Sequence, residues 1–175
     1  MGLDITVNMG CKVADWKLQK AIADAEEPRE EAYEMGLALP YVEEGRECRA
    51  EGLEIGKAYK VGDSWGFRAG SYGGYNEWRK VLAQLAGVAD IEDFWKREFE
   101  VEKDGGRLDV PFAELLAFSD CEGTLGPAVC ARLAKDFAEH DERAKGHGED
   151  WFYDLYETWH RAMREAAEDG FISFH

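Results

Sequence analysis

The sequence predicts an α+β fold, a single compact domain in which several helices pack on a small, mostly antiparallel sheet. In GLDITVNM at residues 2–9 the apolar and polar residues alternate, as is typical of a half-buried strand. FISFH at 171–175 is interpreted as a closing strand, and several segments between the two ends show apolar residues at helical spacing. With 175 residues, 45% of them hydrophobic, the chain suits one domain with a sizeable core.

Several residues in the N-terminal half of the chain are typical of positions where helices and strands begin or end. Asp15 can cap a first helix, and the polar, glycine-rich stretch 41–56 is interpreted as a loop insertion within the domain. Residues 57–61 and 64–69 flank Gly62-Asp63, a two-residue spacing that predicts a β-hairpin. Later helices are expected to begin at Asn76, Asp90, Pro111 and Pro127, and a last long helix to end at Gly170.

The formal net charge of −16 argues against binding of duplex nucleic acid or of an anionic membrane through the bulk surface. An acidic face around Glu26 to Glu34 is still suited to a basic host protein, even as a mimic of nucleic acid. The chain shows no apolar run of about 20 residues and no signal-peptide pattern, which favours a cytoplasmic location. Its four cysteines lack CxxC spacing and are expected to be reduced.

The segment SWGFRAGSYGGYNEWRKVLAQL at 64–85 concentrates aromatic residues, glycines and arginines. A strand that feeds a glycine loop at the start of a helix points backbone N–H groups at one place, and such a place favours anions. Tyrosines beside it can stack on a flat ligand, and arginines can pair with charge. The residues predicted to bind a small anionic ligand are Arg68, Ser71, Tyr72, Tyr75, Asn76 and Arg79, with Lys80 as a further cation.

A structural interpretation of the same segment is equally supported. GSYGGYNEW at 70–78 is neither a P-loop nor a spaced GxGxxG, because no Lys-Ser/Thr pair follows the glycines. The glycines can simply turn a strand into a helix, and the tyrosines can cover the core. The sequence does not favour the binding interpretation or the structural interpretation over the other.

A possible second site is formed by Asp120, Cys121 and Glu122, with His175 as a distant partner. In an extended backbone, residues two apart point the same way, so both carboxylates could bind a divalent cation or serve acid–base chemistry. The cysteine could be a nucleophile beside His160 or His175. The competing interpretation is that these residues cap two helices. Neither the histidines nor the acidic residues have the spacing of a metal set, so no metal and no cofactor are predicted.

Three segments resemble a group of uncharacterised proteins encoded in bacterial and phage genomes: SYGGYNEWR at 71–79, PFAELLAFSDCEGTLGP at 111–127 and the final DGFISFH. That group has a SYSGF-type segment, an FSDCEG-type segment and an aromatic C-terminus. Where such relatives commonly have serine, this chain has Gly73. The resemblance implies a microbial or viral cytosolic setting, and no activity or catalytic residue transfers with it.

These observations favour a non-enzymatic protein that binds a small anionic, nucleotide-like ligand. In a phage or prophage setting, such a protein could sequester a host defence signal. Two alternatives remain open. One is an acidic protein-interaction module that occupies a basic host protein, and the other is a small hydrolase or transferase that uses Asp120, Cys121 and Glu122. The sequence does not indicate an oligomeric state.

Overall fold

The computed structural model describes residues 2–103, 106–118 and 122–175, and these form an α+β fold, as the sequence predicts. The strands are β1 (Gly2–Met9), β2 (Lys12–Val13), β3 (Tyr59–Lys60), β4 (Asp63–Ser71), β5 (Gly123–Leu125) and β6 (Phe171–Phe174). The helices are α1 (Trp16–Asp24), α2 (Pro28–Glu34), α3 (Tyr72–Leu85), α4 (Ile91–Lys103), α5 (Ala113–Ala117), α6 (Pro127–Lys145) and α7 (Asp150–Ala166), and a 3-10 helix covers Glu47–Ala50. Among the described helices, none combines the length and apolar character that crossing a bilayer requires.

The main sheet of the described residues has four strands in the order β4-β1-β6-β5, and each neighbouring pair is antiparallel. Strand β1 lies inside the sheet, so that Val7 pairs with Trp65 of β4 on one side and with Ile172 of β6 on the other. Leu3, Ile5 and Val7 point to the same face and are buried. The burial pattern of β1 therefore confirms the predicted half-buried strand, and β6 confirms the predicted closing strand.

Helices α3, α6 and α7 cover this buried face of the sheet. The indole rings of Trp78 on α3 and Trp159 on α7 lie 6.1 Å apart, and both side chains are fully buried. Trp78 Nε1 donates a hydrogen bond to the carbonyl of Phe152, which satisfies its polar atom inside the core. Burial of these large rings along one stripe of each helix is the main stabilising contribution to the fold.

A smaller layer lies on part of the opposite face. Helices α1 and α2, together with the two-stranded β2-β3 sheet, bury a separate apolar cluster that includes Ile22 and Leu37. Asp15 caps α1 by accepting hydrogen bonds from the N–H groups of Lys17 and Leu18, as the sequence predicts. The edge of Tyr59 on β3 packs against Phe171 of β6, with ring centroids 5.8 Å apart, and this contact joins the layer to the sheet.

The predicted hairpin across Gly62-Asp63 is wrong. Strand β3 pairs with β2, whereas β4 pairs with β1. The Gly62 N–H donates to the Met9 carbonyl, and Asp63 is already the first residue of β4. The buried Tyr59 explains the difference, because it packs against Phe171 of β6 while β3 pairs with β2 and not with β4.

The predicted helix start at Asn76 is also wrong, because α3 begins at Tyr72 directly after β4. Gly70 has a φ of +118°, a conformation that favours glycine and turns the chain out of the strand. Ser71 caps the helix, and its Oγ accepts a hydrogen bond from the Gly74 N–H at 3.1 Å. Asn76 therefore lies inside the helix.

The stretch 41–56, predicted to be a loop insertion, is irregular apart from the 3-10 helix. It is held against the body of the domain, because the Gly126 N–H at the start of α6 donates to the Arg49 carbonyl at 2.8 Å. Arg132 of α6 reinforces this contact by donating both to Glu51 and to the buried Glu114 of α5. The 3-10 helix thus has a defined position beside α5 and α6.

We expect Gly126→Ala to destabilise the protein by about 2 kcal/mol, because overpacking a close backbone contact typically costs that amount. A Cβ at this position would lie 2.4 Å from the Glu51 carbonyl oxygen, so the 49–51 segment would have to move. Thermal unfolding followed by circular dichroism measures the effect.

Gly73→Ala is the matched control, since an added Cβ meets no atom within 4 Å there. It lies in the first turn of α3, where alanine is favoured over glycine, so its melting temperature should match or exceed that of the parent. Equal melting temperatures for the two variants would contradict the described packing of the 3-10 helix on α6.

Candidate functional site

The structure does not bring the six predicted ligand-binding residues together on one surface. Arg68, Ser71 and Tyr72 are exposed near the junction of β4 and α3, with Arg68 lying against Gly2. Tyr75 is buried in the core, and Asn76 and Arg79 lie one turn further along α3. Lys80 is exposed and pairs with Glu77 at 2.7 Å.

The helix start retains only part of the predicted anion cradle. The N–H groups at the beginning of α3 are exposed with Ser71 and Tyr72, but the Gly74 N–H is already bound by the Ser71 side chain. Tyr75 has 1% of its surface exposed and stacks on Trp78 with ring centroids 6.0 Å apart. It therefore contributes to the core, as the structural interpretation of the segment expects.

Arg79, the last member of the predicted set, connects α3 to other parts of the domain. Its Nη1 donates to the carbonyls of Leu116 and Phe118 at 2.9 and 3.0 Å, and its Nη2 donates to Asn76 Oδ1 at 3.0 Å. Its guanidinium carbon lies 4.9 Å from the ring centre of Trp95 on α4. The residue is 5% exposed, and through these contacts it joins α3 to α4 and to the end of α5.

The exposed edge of Arg79 opens into a cavity of about 410 Å³, which we call the arginine pocket. Four separate parts of the chain form it: the 3-10 helix and the residue before it, α3, α4 and the last residue of α5. Its lining residues are Arg46, Arg49, Arg79, Trp95, Lys96, Phe99 and Ala117.

The arginine pocket is strongly basic on a protein whose net charge is −16. Among the described residues that line it, four are cationic and none is acidic. Arg46 and Arg79 also stand over aromatic rings, Arg46 at 5.5 Å from the centre of Phe99. Such contacts fix the direction of a guanidinium. Arg46 also forms an ion pair with Glu43, with its Nε 3.1 Å from the carboxylate.

This lining is chemically suited to binding a group that carries both negative charge and a flat ring. Guanidinium groups form paired hydrogen bonds with phosphate or carboxylate, and the exposed faces of Trp95 and Phe99 can pack on a ring. The described lining offers no cysteine, serine, histidine or carboxylate that could act as nucleophile or general base. The arrangement therefore supports binding more directly than catalysis.

Of the possible second site, Asp120 and Cys121 lie outside the described residues. Glu122 is exposed and forms a 2.7 Å ion pair with Arg29 of α2. The hydrogen bond from Arg29 lowers the pKa of Glu122, so this group is a carboxylate at neutral pH. His175 lies on the outer side of the sheet, where its Nε2 is 3.0 Å from the hydroxyl of Thr6.

Two of the described cysteines, Cys11 and Cys130, are poor nucleophiles. Burial, and secondarily the charge of Asp169, raises the pKa of Cys11 to about 11. Burial also raises the pKa of Cys130, which is fully enclosed. The described residues contain no cluster of three or more His, Cys, Asp or Glu side chains that could hold a metal ion.

The acidic face proposed around Glu26 to Glu34 lies on α2 and the turn before it. Glu30 and Glu34 are exposed there, and between them Tyr33 is 83% exposed. No described contact specifies a partner for this face.

Sequence reasoning missed Arg46, Arg49, Trp95, Lys96 and Phe99. Arg46 and Arg49 could have been noticed, because they are cations three residues apart within a stretch that is otherwise rich in glutamate. The WKREF segment similarly places Trp95 and Phe99 four residues apart, and thus on one face of a helix, with Lys96 between them. What the sequence lacked was any indication that these two segments meet Arg79.

We expect Arg79→Ala to lower the free energy of unfolding by about 2 to 4 kcal/mol, because it removes donors from two carbonyls inside the domain. Chemical denaturation followed by tryptophan fluorescence measures this. Arg68→Ala removes the same charge from an exposed position and should change stability by less than about 0.5 kcal/mol. Similar effects of the two variants would contradict the structural role of Arg79.

Comparisons of this chain with protein-family models, with curated proteins and with solved structures found no match. No residue role is therefore transferred from another protein. The function has to be argued from the geometry and charge of the arginine pocket.

Proposed function

We propose that the protein binds a small anionic ligand with a flat ring, of the nucleotide class, in the arginine pocket. The observation that supports this most directly is the gathering of four cationic side chains around one cavity on a protein of net charge −16. Cationic hydrogen-bond donors gathered at one cavity favour an anionic ligand. The ligand class is the one that the sequence predicts, and of the six predicted residues Arg79 alone lines the pocket.

Size and lining agree with this ligand class. A cavity of about 410 Å³ falls in the range of small-molecule sites, roughly 300 to 1,000 Å³, and is large enough for one mononucleotide. Arg46, Arg49 and Lys96 supply donors for a phosphate, and Trp95 and Phe99 supply apolar rings for a base. Guanidinium donors are also pre-organised, because rings hold Arg46 and Arg79 in place.

The protein binds this ligand without converting it, since the described lining has no acid–base or nucleophilic group besides the cations. In a phage or bacterial cytosol, a protein of this kind removes a signalling nucleotide from circulation by stoichiometric binding. This biological role requires that the ligand is a nucleotide.

Calorimetric titration at low ionic strength tests the proposal. The probes are AMP, GMP, cyclic AMP, cyclic di-AMP, the nucleoside adenosine and inorganic phosphate. We expect heat from at least one nucleotide, a much weaker signal from adenosine, and an affinity that falls as salt is raised. Chromatography of the nucleotide after incubation with the protein separates binding from hydrolysis, because binding alone leaves the nucleotide unchanged.

Two neighbouring residues of α4 provide a matched pair of variants. Lys96 lines the pocket, whereas Arg97 points to solvent and lies 3.9 Å from Asp93. Lys96→Gln should weaken nucleotide binding about tenfold, equivalent to about 1.4 kcal/mol, whereas Arg97→Gln should leave it within about twofold. Equal losses from both variants, or no heat with any probe at millimolar concentration, would contradict the proposal.

A further inference from the structure

We propose that a second cavity, on the opposite face of the sheet, binds a neutral polyhydroxylated ring such as a sugar. This cavity has a volume of about 580 Å³ and lies between the outer face of the sheet and the layer formed by α2 and residues 37–41. We call it the hydroxyl groove. It is separate from the arginine pocket, and none of the pocket's lining residues lines it.

Three hydroxyl side chains form a row across the floor of the hydroxyl groove. Thr6 of β1 pairs directly with Ser173 of β6, and Ser173 pairs directly with Thr124 of β5. Directly paired residues of antiparallel strands point to the same face, and neighbouring strands lie about 4.8 Å apart. The three side chains therefore point to the cavity side of the sheet at regular spacing, and all three residues line the cavity.

Thr124 provides the observation that points to a ligand. Its side chain is 2% exposed and lines the groove, yet its Oγ1 has no hydrogen-bond partner among the described residues. A buried hydroxyl without a partner is destabilising, and native proteins rarely contain one without a reason. A ligand hydroxyl in the groove supplies the missing partner, because a hydroxyl both donates and accepts.

Two further polar groups of the floor lie on either side of this row, along the strands. His175 Nε2 lies 3.0 Å from Thr6 Oγ1 at one side, and the amide of Asn8, which is 6% exposed, lies at the other. On the opposite wall, Tyr33 and Tyr41 line the groove. Hydroxyl and amide groups on one side and aromatic faces on the other match a sugar ring, which has a polar edge and an apolar C–H face.

Charge distinguishes this groove from the arginine pocket. The charged side chains that line it are Arg29 and Glu30, one of each sign, with His175 as the titratable member. Arg29 is further neutralised by its 2.7 Å ion pair with Glu122 and stands over the ring of Tyr41. Because the groove lacks the excess positive charge of the arginine pocket, it does not favour an anion, and a neutral ligand suits it better.

Saturation-transfer NMR with millimolar D-ribose, D-glucose, N-acetyl-D-glucosamine, adenosine and uridine tests this assignment, with cyclohexanol as the probe that lacks the extra hydroxyls. We expect transfer to sugar protons of at least one probe and none to cyclohexanol. Transfer to free sugars indicates a saccharide ligand, whereas transfer to the ribose protons of nucleosides alone indicates a nucleoside. Transfer to base protons only, or to no probe, would overturn the proposal.

Variants locate the binding. Thr124→Val keeps the shape of the side chain and removes the hydroxyl, and Ser173→Ala removes the middle hydroxyl of the row. Each should reduce transfer at least fivefold, and Thr124→Val should melt no lower than the parent because its hydroxyl has no protein partner.

Thr158→Val on α7 is the control, since that hydroxyl donates to Asp154 away from the groove. Lys96→Gln in the arginine pocket should leave the sugar signal unchanged, so the two proposals can fail separately. Undiminished transfer in both Thr124→Val and Ser173→Ala would place the binding elsewhere and overturn the assignment.

Discussion

The hydrogen bonds from the buried Arg79 to the carbonyls of Leu116 and Phe118 are the interaction on which the site depends. Arg79 is 95% buried, and its guanidinium needs partners for its N–H groups. The end of α5 supplies them, because its last carbonyls have no partners within the helix. The same carbonyl of Leu116 accepts from Trp95 Nε1 of α4 at 2.9 Å. One charged side chain thus brings α3, α4 and α5 to a common point, and the arginine pocket opens above it.

The second support of this pocket is the 3-10 helix, which brings Arg46 and Arg49 towards Arg79. Its position follows from Gly126 and Arg132, which tie its backbone and Glu51 to α6. Arg49 is itself 6% exposed and lies with its guanidinium carbon 4.7 Å from the ring centre of Phe118. The 3-10 helix and the residue before it thus place two of the four cations of the pocket.

Much of the fold could be predicted because local patterns agree with the tertiary structure. The alternation in β1, the cap at Asp15 and the apolar stripes of α3, α6 and α7 each follow from neighbouring residues. The hairpin could not be predicted correctly, since Tyr59 is drawn to Phe171 by a contact more than one hundred residues away along the chain. The binding site could not be predicted from the sequence for the same reason. Arg79 was identified from its surroundings in the sequence, but its partners Arg46, Arg49 and Trp95 join it only through packing of separate segments.

The central claim is that anions bind at the arginine pocket and not at the start of α3. The most direct measurement is an NMR titration with AMP that follows the side-chain Nε–Hε signals of the arginines and the backbone amides of α3. The account predicts that the Arg46 and Arg49 signals shift together and saturate, while Arg68 and the Gly73 and Gly74 amides stay unchanged. Shifts confined to Arg68 and to those glycine amides would contradict it, and would return the site to the glycine segment.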